Sequence, residues 1–158
     1  MREAIRMATS NVAEGGGPFG AIVVKNGKVI GRGVNRVTAE NDPTAHAEVK
    51  AIRDAALHEG SYDLRGAEIY TSCEPCPMCL GAIYWAHISK IFYGNTKADA
   101  AKINFDDSFI YQQLSLPERE RAIPQERMLG EEAIETFKAW YTSLGICIAQ
   151  RASRVLSV

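Results

Sequence analysis

What is scarce in this sequence narrows its chemistry before any motif is read. Its 158 residues hold no apolar run long enough to span a bilayer. The stretch Met1-Arg2-Glu3-Ala4-Ile5 lacks the apolar core of a secretory signal. Both absences lead to the expectation of a cytoplasmic protein without a membrane partner. An excess of charge of either sign is also missing. The formal net charge is -1, so bulk charge gives no support to a nucleic-acid partner. Cysteine is sparse, with four in all, and Cys73, Cys76 and Cys79 crowd into one short segment while Cys147 stands apart. A disulfide framework spreads its cysteines along the chain. In a reducing compartment this clustering points to metal or redox chemistry. Internal repeats, linkers and low-complexity segments are absent as well. The length suits one domain over residues 1–158 that buries its core without disulfides, with a tail from about residue 141 left unplaced.

The elements that are present alternate. Met1, Ile5, Ala8 and Val12 keep a helical spacing, and Gly15-Gly16-Gly17-Pro18 ends it. Strands are expected over 19–25 and 28–34, joined at Asn26-Gly27, a two-residue hairpin signal. Asn41-Asp42-Pro43-Thr44 leads into a helix over 45–58, closed by Gly60. A short strand over 67–71 precedes Pro75 and Pro77, which open a second helix reaching Ala86. Another strand follows over 90–93. Residues 94–106 are weakly patterned, and 107–113 read as a short helix. A fifth strand is expected over 121–128, with Pro124 favouring an edge, and a last helix over 130–141. This order predicts an α/β fold, a three-layer α/β/α sandwich around one five-stranded mixed sheet. Its site would lie where the two central helices start, at neighbouring strand ends.

Those two helix starts carry the chemistry. One is Thr44-Ala45-His46-Ala47-Glu48 and the other Cys73-Glu74-Pro75-Cys76-Pro77-Met78-Cys79. Catalytic zinc takes three nitrogen or sulfur ligands and keeps a fourth position for water. Cys76 and Cys79, three apart, reach one ion from a single turn, and the helix dipole favours their thiolates. His46 supplies the third ligand. Glu48, two residues on, reaches the activated water without replacing a ligand and can move its proton. A C-x-x-C pair alone would also suit a redox centre or half of a structural zinc site. The H-x-E upstream and the proline before Cys76 weigh against that reading, because a structural site has no use for Glu48. Cys73 reads as a buried neighbour, and Cys147 has no assignable role.

The pattern H-x-E followed by P-C-x-x-C is the signature of zinc nucleobase deaminases. From about Gly15 to about Trp140 the chain resembles the cytidine deaminase superfamily, in particular its bacterial guanine deaminase branch. Gly17-Pro18-Phe19-Gly20, the segment 41–49 and the segment 71–79 carry the superfamily half of the match. Phe105-Asp106-Asp107-Ser108-Phe109-Ile110-Tyr111 carries the guanine deaminase half, in place of the Gly/Ala-rich stretch of tRNA adenosine deaminases. The resemblance implies Zn²⁺ as cofactor and a small purine as substrate, hydrolysed from guanine to xanthine and ammonia. It implies that Asp107 holds the purine, that Asn35 bonds another polar edge, that Phe19 packs near the ring, and that the backbone N–H of Ala47 bonds the substrate. From the residues alone, Asp106-Asp107 also reads as a helix cap with a first-turn acid, and Asn35 as a turn residue. The resemblance further implies a homodimer whose carboxy-terminal segment crosses to the partner. The tail 141–158 departs from the expected ending, with Tyr141 read either as a replacement lid residue or as a packing aromatic. Guanosine, another aminated purine or triazine, and tRNA adenosine remain alternative substrates, and a non-enzymatic zinc protein is the alternative from another class.

Overall fold

Small residues decide how the central layers meet. The computed structural model describes the backbone of residues 1–155 and the side chains of residues 1–144. Strands β1 (Gly20–Lys25) and β2 (Lys28–Val34) form the expected hairpin. Asn26 and Gly27 both take positive φ, 52° and 74°, as the tight turn demands. Helix α1 (Arg2–Ala13) precedes them, and a single turn, α2 (Val37–Glu40), follows. Helix α3 (Ala47–Glu59) then leads to β3 (Ala67–Cys73), and α4 (Pro77–Trp85) to β4 (Lys90–Asn95). The sheet order is β2-β1-β3-β4, with β1 antiparallel to both neighbours and β3 parallel to β4. Strands β2, β3 and β4 therefore point one way, and α3 and α4 both begin beyond their carboxyl ends. Open α/β sheets place their sites at that edge.

Helices cover both faces. On one side Ala4 and Ala8 of α1 approach Gly20 so closely that a Cβ there would meet the Ala4 carbonyl. On the other, Ala47, Ala51 and Ala55 of α3 are fully buried, each one helical turn from the next. They face Gly31 and Gly33 of β2, where a Cβ would collide with the Ala51 and Ala47 carbonyls. Ala21, Val23, Leu64, Ile69 and Ile83 complete this core.

By contact the chain divides into two compact units, Met1–Ser115 and Leu116–Val158. The first also holds α5 (Lys97–Ala101) and α6 (Ser108–Ser115). The second holds a short 3₁₀ turn (Glu118–Glu120) and α7 (Gly130–Val155). The fifth strand expected over 121–128 is not formed, and the sheet has four strands among the described residues. Pro124 removes a ladder donor, and Glu126 and Arg127 interrupt the apolar alternation a strand needs. The last helix runs on past Tyr141 to Val155, so the tail left unplaced by sequence is helical in its backbone over most of its length. The side chain of Cys147 lies outside the described residues. No described helix is long and apolar enough to cross a membrane.

Two glycine substitutions separate close approach from ordinary helix propensity. Gly33→Ala should lower unfolding free energy by about 1–3 kcal/mol, because the α3 backbone must move. Gly81→Ala, in mid-α4 with nothing near its Cβ, should raise it by about 0.5–1 kcal/mol. Urea unfolding of both variants checks the pair, and equal effects would refute the packing account.

Candidate active site

The starts of α3 and α4 bring three soft ligand atoms together. His46 caps α3 and Cys76 caps α4, both in extended backbone, with Pro77 as the first helical residue after Cys76. Cys79 sits in the first turn of α4, fully buried. His46 Nδ1 lies 3.5 Å from Cys76 Sγ and 3.5 Å from Cys79 Sγ. The three atoms form the one group of potential metal ligands among the described residues. Tetrahedral bonds of about 2.3 Å to sulfur and about 2.1 Å to nitrogen put those atoms about 3.6 Å apart. The donor set thus has the chemistry and the spacing of a zinc site with a position to spare.

The sulfurs share a proton unequally. A hydrogen bond from Cys79, and then one from His46, holds the Cys76 thiol well below its ordinary range. The same hydrogen bond, followed by burial, drives Cys79 upward. His46 is raised, first by its bond to Cys76. Metal binding at such a site releases the protons its ligands hold. Cys73 stays apart. Its thiol donates toward the Thr96 carbonyl at 3.7 Å, and burial pushes it up to about 11. It lies outside the ligand group, in agreement with its reading as a buried neighbour.

Glu48 lies on the first turn of α3, 6% exposed. The Thr71 hydroxyl, on β3, donates to its Oε1 at 3.0 Å, and the Cys79 thiol donates to its Oε2 at 3.3 Å. Burial raises the Glu48 carboxyl above the usual range. A buried carboxyl between a hydroxyl and a ligand sulfur is suited to holding and releasing a proton at that spot.

A cavity of about 430 Å³ opens onto these groups, and its walls include His46, Glu48 and Cys76. Phe19, Asn35 and Asp107 line the same cavity, so these sequence candidates come together. Ala47 is the first residue of α3, where backbone N–H groups lack helical partners. The two aspartates divide the readings left open by sequence. Asp106 accepts from the Ser108 N–H at 2.9 Å, an Asx turn that leads into α6. Asp107 lines the cavity, with its carboxyl raised first by burial and then by the nearby Cys76 charge.

Three contributors have no role in the sequence reading, although Thr71 and Phe105 stand in the segments that carry the resemblance. Thr71, fully buried, bonds Glu48. Its hydroxyl is one of several polar groups on β3, beside Glu68, Tyr70 and Ser72, so no distinct signal marks it in the sequence. Phe105 meets Phe19 edge to face, with centroids 5.0 Å apart, forming an aromatic wall. Lys97 lines the rim, its ammonium 4.7 Å from the Tyr111 ring centroid. Tyr111 in turn donates to the Pro75 carbonyl at 3.3 Å, beside the Cys76 ligand loop.

Known proteins share this arrangement. Residues 1–95 match the cytidine and deoxycytidylate deaminase zinc-binding region. The chain is 51% identical to guanine deaminase of Bacillus subtilis over 141 residues, 89% of this chain and 90% of that one. The X-ray structure of that protein superposes with a TM-score of 0.85. A tRNA-specific adenosine deaminase of Streptococcus pyogenes is 36% identical over 82% of this chain and 79% of its own length. The structure of guanine deaminase from Nitrosomonas europaea is 32% identical, covering 66% of this chain and 62% of that one, with a TM-score of 0.64. With that zinc-binding region matched over residues 1–95 and identities of 51% and 36% over more than four-fifths of its length, the chain belongs to the cytidine and deoxycytidylate deaminase family.

Proposed function

We propose that this protein hydrolyses guanine to xanthine and ammonia. The observation that carries the reading is a single cavity lined by His46 and Cys76 of the ligand group, by Glu48 and by Asp107, with Cys79 buried behind Cys76 and His46. Similarity to the Bacillus subtilis guanine deaminase supports the choice of base, and the net charge of -1 weighs against a tRNA substrate. His46, Cys76 and Cys79 would hold a zinc ion, which when bound would supply an activated water near neutral pH. Glu48 takes a proton from that water and hands it to the ring nitrogen beside C2. The oxygen bonds C2; as the C2–N bond then breaks, Glu48 takes the second proton from the new C2 hydroxyl and gives it to the amine, which leaves as ammonia. The Thr71 hydroxyl holds Glu48 Oε1; Oε2, which accepts from the Cys79 thiol, would be freed for the reaction once that sulfur binds metal as thiolate. Asp107 accepts from ring N–H donors, charge-assisted and therefore strong. Asn35 offers its amide to a second edge, Phe19 packs against the ring, and the Ala47 N–H bonds the substrate.

Ammonia release from guanine, guanosine, adenine and cytosine tests this. Guanine alone should be turned over. Glu48→Gln should lower kcat by about 10²–10⁴ with little change in KM. Asp107→Ala should chiefly raise KM. Turnover of guanosine instead of guanine would overturn the role given to Asp107. No release from any of them would overturn the enzyme reading of this substrate class.

We further propose that the protein acts as a cytoplasmic homodimer whose carboxy-terminal segment crosses to the partner. The free thiols of the ligand pair suit a reducing compartment. The second unit leaves Ile123, Met128, Phe137, Trp140 and Tyr141 each at least 66% exposed. Apolar exposure of that extent supports a covering partner. Light scattering should give twice the 17.3 kDa chain mass, and Phe137→Glu should shift it toward the monomer. A monomeric parent protein would refute the dimer.

A further inference from the structure

Asn11 is the polar exception on the buried face of α1. Ala4 and Ala8 precede it there, and Asn11 itself is 2% exposed. Its Nδ2 donates twice, to the Gly17 carbonyl at 2.8 Å and to the Asn35 carbonyl at 2.7 Å. The amide can sit only this way round, because the reverse would set Oδ1 against two carbonyl oxygens. Oδ1 itself is buried with no protein hydrogen-bond partner. A buried acceptor left unmatched costs stability, so an apolar residue would serve α1 packing better.

What the amide secures lies outside the helix. The Gly17 carbonyl also accepts from the Phe19 N–H at 2.8 Å, and the Asn35 N–H donates to the Phe19 carbonyl at 3.1 Å. Gly17 presses on Asn35 so closely that a Cβ there would lie 2.9 Å from Asn35 Oδ1. That oxygen accepts from the Val37 N–H at 3.3 Å. The Asn11 amide thus clamps two loops, one 6 and the other 24 residues away from it in sequence. One loop presents Phe19 to the cavity and the other presents Asn35.

We propose that Asn11 is a positioning residue for substrate binding. It sets the affinity for a planar aminated ring by fixing Phe19 and Asn35, without touching the ring. This rests on the reading of those two residues as substrate contacts. Because both contact the ring in the ground state and the transition state alike, loosening them removes uniform binding. The effect belongs in KM and not in kcat.

Asn11→Leu removes both donors and the orphan acceptor, and leucine favours helix. In the zinc-loaded protein, KM for guanine should rise about tenfold or more, with kcat within about threefold of the parent. Amide hydrogen exchange should quicken at Phe19 and Asn35 and stay unchanged in β3. A thermal melt of the variant shows that it is folded. An unchanged KM, or a fall in kcat alone, would overturn the proposal. Unchanged exchange at Phe19 and Asn35 would overturn it whatever the substrate proves to be. Failure of the parent protein to turn over guanine would instead count against the substrate reading, and the exchange measurement would still decide the clamp.

Discussion

Everything at the site depends on how closely α3 lies on β2. Gly31 and Gly33 leave room for the backbone of α3, and Ala47, Ala51 and Ala55 present no bulk in return. The contact fixes the first turn of the helix to within the tolerance of a strand. His46 and Glu48 flank Ala47 on that turn, so the packing sets both the imidazole and the carboxylate. The parallel β3–α4–β4 unit then delivers Cys76 and Cys79 from the carboxyl end of β3, which β1 separates from β2. Two rigid elements, not loops, hold the reacting groups, which is the arrangement that keeps a catalytic geometry precise.

The electrostatics follow from that placement. A carboxylate as buried as Glu48 is unfavourable unless something bonds it, and the Thr71 hydroxyl does so from the next strand. Burial still raises its pKa, which keeps a proton within reach of the chemistry. At the helix starts the positive dipole ends converge on the sulfurs and favour thiolate. The cavity wall facing them combines an aromatic pair with one raised carboxyl, Asp107. Such a wall suits a flat heterocycle with N–H donors on one edge.

Local patterns made much of this visible in the sequence. Asn26-Gly27 announced the hairpin, because both residues tolerate positive φ. The H-x-E and C-x-x-C spacings announced the ligand group, because helical geometry fixes which side chains share a face. Features set by tertiary contact stayed hidden. Thr71 and Asn11 each stand beside another polar residue, Ser72 and Ser10, and only their partners 23 and 24 residues away distinguish them. The helices 37–40 and 97–101 are too short to show a period. The second did carry a cue in the Thr96–Asp99 capping box. The segment 121–128 misled because a few β-formers outweighed Pro124 and the charges around it.

The central claim is that His46, Cys76 and Cys79 hold one zinc ion and leave a position open for the attacking water. X-ray absorption at the zinc edge of the metal-loaded protein tests it most directly. The account predicts two sulfur scatterers at about 2.3 Å and two nitrogen or oxygen scatterers at about 2.0–2.1 Å. In His46→Ala the longer-range imidazole scattering should vanish while both sulfurs remain. Three or four sulfur scatterers would mean a closed structural site that recruits further cysteines, and would contradict the account.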